Sequence, residues 1–296
     1  MKKFLTVLVF YFSLSIVIFA QNESDYIFNG NGAILGYVGQ ETTIVIPEKI
    51  DGIPVTVIGN RAFYNKRLIS VTIPDGVTSI GHEAFANNRL ISVIIPDTVT
   101  AIGEKAFIHN QITSINLPEG ITVINERTFA DNKLTSINIP DGVTYIGEAA
   151  FYFNQLKTVS IPYSVTFIGI SAFADNQLTS LVLPNGIVSI EGESFARNLL
   201  SNIYIPDSVT YIDDSAFREN RLTSIIIPAS VTHISGDAFF YNPLISVTIG
   251  RNVILGRAIY SGINSFFDDF YNSNGKRAGT YINRGGQWSI LERHDA

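Results

Sequence analysis

The sequence predicts a repeat solenoid in which each 22-residue coil contributes one short parallel β-strand and little helix. A hairpin cap is expected at its N-terminus and a helix-plus-hairpin cap at its C-terminus. Self-similarity at a period of roughly 20–50 residues is the signature of stacked repeats. The first observation is a proline every 22 residues, at Pro74, Pro96, Pro118, Pro140, Pro162, Pro184, Pro206 and Pro228. The second is a phenylalanine with the same period, at Phe63, Phe85, Phe107, Phe129, Phe151, Phe173, Phe195, Phe217 and Phe239.

The third observation is the short segment that precedes each proline. It alternates β-branched and small polar residues, as Ile137, Asn138 and Ile139 do before Pro140. Successive strand residues point to opposite faces, so the two isoleucines face one way and Asn138 the other. Strands one period apart run in the same direction, and we therefore expect them to pair in parallel. The other side of each coil, VTxIGxxAFxxN, predicts an extended piece followed by one helical or 3₁₀ turn.

Two further columns have structural interpretations. An asparagine recurs at Asn88, Asn110, Asn132, Asn154, Asn176, Asn198, Asn220 and Asn242. A buried amide needs hydrogen-bond partners, so this column predicts a ladder that bonds the backbone of the turn. A glycine recurs at Gly81, Gly103, Gly147 and Gly169, and it is expected to turn the coil.

The phrase LxSIxIP followed by xxVTxIGxxAFxxN resembles the BspA-like bacterial leucine-rich repeat, over about residues 44–250. Nine copies of the phrase agree in phase. The resemblance implies a leucine-rich repeat array of a secreted or surface-exposed protein, since several members of that family act as adhesins for host proteins or other bacteria. It implies no catalytic residue and does not identify a ligand.

Residues at the start of the chain do not follow the repeat. Lys2 and Lys3, the apolar run 4–19 and Ala20 predict a secretory signal peptide over residues 1–20, with an uncleaved membrane anchor as the alternative. Residues 21–45 are expected to form an N-terminal β cap, because an Asn-Gly-Asn-Gly turn at 29–32 separates two apolar stretches. Such a cap covers the open face of the first coil.

The repeat array is expected over residues 46–250, with about nine coils, and five extra residues near 50–54 are expected to form a turn-rich loop. Residues 251–296 are expected to form the C-terminal cap. One face of an amphipathic helix is predicted there from Ile263, Phe266, Phe267, Phe270 and Tyr271. Residues 277–283 and 287–291 predict a closing hairpin. The alternative for this helix is a partner-binding role.

Composition and residue spacing argue against several classes of function. The formal net charge of −6 argues against nucleic acid and anionic membrane surfaces as partners, and the lack of cysteine excludes disulfides. No metal, cofactor or catalytic site is expected, because the four histidines share no repeat column and no ligand spacing: His82, His109, His233 and His294. An acidic column after the proline predicts solvated turns, with a weak divalent-cation strip as the alternative: Asp75, Asp97, Glu119, Asp141 and Asp207.

Specificity is expected in outward positions, because the core columns are fixed. The candidate partner-binding column lies between the two buried strand residues and is expected to line the concave face: Thr72, Ile94, Asn116, Asn138, Ser160, Val182, Tyr204, Ile226 and Thr248. A second candidate strip lies on the opposite side of the coil: Tyr145, Phe167, Tyr211 and His233. These four side chains form an aromatic strip if they are exposed, and additional core if they fold inward; the sequence leaves both open.

The function predicted from these observations is a secreted or cell-surface adhesion module that binds an extracellular or surface protein. The alternative is a structural spacer of the cell envelope with no specific ligand. An enzyme is not expected, since no catalytic constellation is present. Membrane association is expected only through an uncleaved signal segment.

Overall fold

The computed structural model describes residues 22–256 and 265–291 and confirms the predicted solenoid, with about ten turns and, in these residues, one α-helix. The predicted signal peptide over residues 1–20, Ile263 and the side chain of Phe266 lie outside the described residues. The predicted domain boundaries stay predictions. None of the helices in the described ranges has the length and hydrophobicity that crossing a bilayer requires.

The first ladder of strands is the predicted one, formed by the segments that precede the prolines. Its strands are β3 (Thr43–Val45), β7 (Ser70–Thr72), β9 (Ser92–Ile94), β11 (Ser114–Asn116), β17 (Ser224–Ile226) and β19 (Ser246–Ile249). Neighbours pair in parallel with a register of one coil, Ser92 with Ser114 for example. In the four middle coils the ladder thins to two isolated bridges, Asn138 with Ser160 and Val182 with Tyr204.

A second ladder runs along the opposite side, so the coils outside the middle four have a second short strand besides the predicted one. The piece expected to be extended forms these strands: β6 (Val57–Ile58), β8 (Ser79–Ile80), β10 (Ala101–Ile102), β12 (Val123–Ile124), β13 (Tyr145–Ile146), β14 (Phe167–Ile168), β15 (Ser189–Ile190), β16 (Tyr211–Ile212), β18 (His233–Ile234) and β20 (Ile254–Leu255). The ladder is interrupted between β10 and β12 and again between β14 and β15.

The turn that follows each second-ladder strand from β6 to β18 is not helical. It consists of β-turns, such as the one closed by the Ala84 N–H and the Gly81 carbonyl at 3.2 Å. The reason is that Glu83 has a left-handed φ of +50° and Asn87 one of +57°. These conformations direct the backbone N–H groups along the axis, so that the Glu83 N–H donates to Glu104 of the next coil at 3.0 Å. The backbone N–H groups of the turn thus bond to the next coil, whereas in a helix they would bond to carbonyls of the same segment.

The phenylalanine column forms the centre of the core. All nine rings are buried, and consecutive rings stack with centroids 5.0–5.8 Å apart and planes within 14° of parallel. A second column with the same period is equally buried: Leu68, Leu90, Ile112, Leu134, Leu156, Leu178, Leu200, Leu222 and Leu244. Each ring therefore depends on both neighbouring coils for its packing.

The asparagine column forms the predicted buried ladder. Asn154 donates from Nδ2 to the carbonyls of Phe129 (3.0 Å) and Phe151 (3.2 Å), and its Oδ1 accepts from the Leu134 N–H (3.0 Å). The other seven members of the column repeat this pattern one coil at a time. Each amide side chain thereby joins two coils.

The glycine column follows the second ladder, where the backbones of adjacent coils approach closely. The sequence had suggested that these glycines are needed for a turn conformation, but the structure shows that they are needed for this close approach. A Cβ built at Gly103 would lie 2.6 Å from the Gly81 carbonyl carbon, and one at Gly147 would lie 2.7 Å from the Glu126 nitrogen. Asn125 and Glu191 occupy this column at the two interruptions of the ladder, although Asp213 is accommodated without one. Two of the four non-glycine residues in this column thus coincide with a break in the ladder.

Replacing Gly103 with Ala should lower the free energy of unfolding by about 1–3 kcal/mol, the usual effect of an overpacked site. The added methyl group meets backbone atoms that cannot rotate away. The matched control is Gly142→Ala, whose Cβ would meet its nearest neighbour at an ordinary 3.5 Å. Urea denaturation of both variants measures the difference, and equal stabilities would show that the close approach is not required.

The N-terminal cap extends the second ladder. Strands β1 (Tyr26–Phe28) and β2 (Ala33–Tyr37) form the predicted antiparallel hairpin, and β2 pairs in parallel with β6. The rings of Tyr26 and Tyr37 cover Phe63, the first ring of the core stack, at 6.3 and 5.6 Å. The expected loop near residue 52 is a small hairpin of β4 (Lys49–Ile50) and β5 (Ile53–Pro54).

The C-terminal cap extends the first ladder. Helix α1 (Ser265–Ser273) precedes an antiparallel hairpin of β21 (Gly279–Arg284) and β22 (Gln287–Leu291), and β21 pairs with β19. Phe267 and Tyr271 of the predicted helix face are buried, and Phe270 packs against the same core. Phe267 contacts Trp288 at 4.9 Å between ring centroids. This packing confirms the helix-plus-hairpin cap.

Candidate functional site

The first outward column consists of the nine predicted strand residues on the first ladder. Its flanking strand positions point into the core, as buried Val93 and Ile95 do on either side of Ile94. Eight of the nine side chains are exposed and the last is half-buried: Thr72, Ile94, Asn116, Asn138, Ser160, Val182, Tyr204, Ile226 and Thr248. The structure therefore brings the whole column to one surface. Its position on a concave face stays a prediction.

No member of this column is charged, and four are large and apolar. Ile94 is 75% exposed, and Val182, Tyr204 and Ile226, in three successive coils, are 69%, 67% and 69% exposed. The C-terminal hairpin continues the same surface, because Thr248 pairs with Thr280 and their hydroxyl oxygens lie 3.0 Å apart. We name Val182, Tyr204 and Ile226 the apolar row.

The second outward column is the predicted aromatic strip on the second ladder. Tyr145, Phe167, Tyr211 and His233 point away from the core, and their exposure ranges from half-buried to exposed. The rings of Tyr145 and Phe167 stack at 4.9 Å with planes 8° apart, and Tyr211 lies 6.4 Å from His233. Of the two alternatives left by the sequence, the structure shows the outward orientation. Ser189 separates the two pairs.

Sequence reasoning missed two carboxylates next to this strip. The Ser189 hydroxyl donates to the Glu191 carboxylate, and the Tyr211 hydroxyl donates to the Asp213 carboxylate at 3.0 Å. Asp213 also accepts from the Ser235 hydroxyl at 3.2 Å. The signal that could have found them is the replacement of glycine by an acid in the glycine column.

The acidic column after the proline is exposed at all five positions, as the turn interpretation expects. Within residues 22–256 and 265–291, no three His, Asp or Glu side chains are grouped so that they could hold a metal ion. Charged pairs instead line the turns of the coil, including Arg127 with Glu148 at 2.7 Å and Lys105 with Glu126 at 3.3 Å. Such pairs at the surface, half-buried in this case, contribute little to stability.

An apolar cavity of about 50 Å³ lies inside the C-terminal cap, away from both outward columns. Phe239, Phe267 and Trp288 contribute to its lining, and so does Asp268. Burial, with smaller effects from Asp269 and Asp237, raises the pKa of Asp268 to about 7. The cavity belongs to the packing of the cap on the last coil.

Comparisons with known proteins agree with this architecture. The profile of a sequence family described as "BspA type Leucine rich repeat region (6 copies)" matches residues 56–179 and 146–266, which is more than half of the chain. A comparison with curated proteins found no match.

Two crystal structures show the same fold. A leucine-rich repeat protein from Bacteroides ovatus ATCC 8483 is 27% identical, with a TM-score of 0.69, and the match covers 81% of this chain and 67% of that one. The pneumococcal vaccine antigen PcpA is 21% identical with a TM-score of 0.53, over 73% of this chain and 66% of PcpA. The chain thus spans about two thirds of the length of either protein.

Proposed function

The chain belongs to the BspA-type leucine-rich repeat family, and from that premise we propose that it is a secreted or surface-exposed module that binds a protein partner, as an adhesin does. The expected signal segment at residues 1–20 supports the extracytoplasmic location. A binding role without catalysis is consistent with a family whose repeat carries no catalytic residues.

The apolar row is the observation that carries this proposal. Soluble proteins expose single apolar side chains freely, but a contiguous exposed set is characteristic of an interaction surface. Val182, Tyr204 and Ile226 are each about two thirds exposed, and they occupy the same position in three successive coils. Tyrosine is also among the residues that contribute most to protein interfaces. The lack of charge along the first outward column favours a protein surface over an anionic ligand.

Replacing Tyr204 with Lys should abolish partner binding and leave the melting temperature nearly unchanged. A charge in the middle of the apolar row must be desolvated when a partner covers it, while in the free protein it stays in water. We would measure binding of residues 21–296 to immobilised host extracellular matrix and bacterial envelope fractions. We expect a saturable signal for the unmodified chain and at least a tenfold loss for the variant.

The matched control is Tyr163→Lys, because Tyr163 is 78% exposed but lies in the turn after a proline, outside both outward columns. It should bind as the unmodified chain does. Equal binding by the Tyr204 variant would remove the first outward column from the proposal. A signal that is weak, unsaturable and lost with salt would instead favour the envelope spacer.

A further inference from the structure

The second outward column has one missing ring. In order along the solenoid, its central positions are Tyr145, Phe167, Ser189, Tyr211 and His233. Two rings precede Ser189 and two follow it, and all four point outward. Ser189 occupies a single layer between the aromatic rings of Phe167 and Tyr211.

The spacing of the coils fits one planar group in this layer. Phe167 and Tyr211 are two coils apart, and the spacing of these coils is shown by their core rings. The core rings of the same coils are spaced by 5.8 Å (Phe173 to Phe195) and 5.7 Å (Phe195 to Phe217). A flat group above Ser189 would therefore lie roughly 6 Å from the centre of each ring, the distance within which an aromatic face attracts a cation.

The strand pairing of the backbone is also interrupted at this layer. The second ladder is interrupted between β14, which carries Phe167, and β15, which carries Ser189. Glu191 stands there in the glycine column, where a side chain meets the preceding coil. The interruption and the missing ring thus occur at the same coil.

Two carboxylates give this gap a negative charge. Glu191 accepts the Ser189 hydroxyl and so lies over the floor of the gap, while Asp213 binds the Tyr211 hydroxyl beside one wall. None of the ion pairs in the described part of the chain includes Glu191 or Asp213. A planar cation complements both the aromatic walls and the carboxylates.

We propose that the gap bounded by Phe167, Ser189 and Tyr211 binds an arginine side chain of a protein partner. The guanidinium group stacks between the two rings and donates hydrogen bonds to the Glu191 carboxylate. Lysine fits less well, because its ammonium group is not planar and is more strongly hydrated. An aromatic side chain would fill the gap but would form no ion pair with the Glu191 or Asp213 carboxylate. This inference deepens the proposed function and rests on it for the existence of a partner.

The test uses blocked pentapeptides that carry one Arg or one Lys among glycines, titrated into residues 21–296 and followed by NMR. We expect the Arg peptide to bind at least about fivefold more tightly than the Lys peptide. Ser189→Phe supplies the missing ring and should remove this preference. Ser79→Phe is the matched control, since Ser79 occupies the same column between Val57 and Ala101, and it should retain the preference.

Glu191→Gln keeps the size of the side chain and should weaken Arg binding at least about fivefold, with the melting temperature recorded for each variant. Equal binding of the two peptides, no binding of either, or an Arg preference that survives both Ser189→Phe and Glu191→Gln would overturn the proposal. The peptides require no natural partner. The peptide titration therefore tests the arginine site alone, and the binding assay with immobilised fractions tests the apolar row.

Discussion

Replacing Phe151 with Ala should lower the free energy of unfolding by about 3–5 kcal/mol, the range measured for buried aromatic residues truncated to alanine. Phe151 lies at the middle of the ring stack, 5.6 Å from Phe129 and 5.3 Å from Phe173, and none of its surface is exposed. The deletion removes contacts with both neighbouring coils. Because a solenoid is stabilised by nearest-neighbour interfaces, a defect in a central coil weakens two of them together.

The control for this prediction is Phe153→Ala, two residues further along the same turn. Phe153 is 57% exposed, so its truncation leaves no cavity in the core. We expect a change within about 0.5–1 kcal/mol in urea denaturation. A loss for Phe151→Ala no larger than that for Phe153→Ala would mean that the ring stack is not the centre of the core.

The core could be predicted because the sequence repeats it. Side chains one period apart must meet if coils stack, so the phenylalanine column predicted the ring stack and the asparagine column predicted the buried ladder. The caps were predictable for a related reason. An exposed end coil must be covered, and Tyr26 and Tyr37 at one end and Phe267 at the other do so.

Features that depend on the distance between the backbones of adjacent coils could not be predicted from the sequence. A recurrent glycine is compatible with a special φ or with close approach, and only the distances at Gly103 and Gly147 distinguish the two. The pairing of the second ladder was likewise hidden, because its strands are two residues long and carry little periodicity. The orientation of Tyr145 and Phe167 was open for the same reason, and with it the gap above Ser189.

Replacing Asn154 with Leu should lower the free energy of unfolding by at least about 2 kcal/mol, although the two side chains have similar volumes. Asn154 donates to Phe129 and Phe151 and accepts from Leu134, and the change removes these bonds in a region that water does not reach. The Leu134 N–H is left without a partner, which costs about 1–3 kcal/mol, and the Phe129 and Phe151 carbonyls each lose one of their two amide donors. Since Leu is more hydrophobic than Asn, a stabilisation would be expected if burial of apolar surface alone decided the outcome.

Gln155→Leu separates these two effects at the adjacent residue. Its side chain is exposed, so the same exchange of an amide for an aliphatic group leaves no buried group without a partner, and we expect a change within about 0.5 kcal/mol. Urea denaturation of both variants gives the comparison. If Asn154→Leu were as stable as Gln155→Leu, the asparagine ladder would contribute nothing to the stability of the stacked coils. The expected loss would instead show that the amides hold adjacent coils at their spacing, which the outward columns require to present one continuous surface.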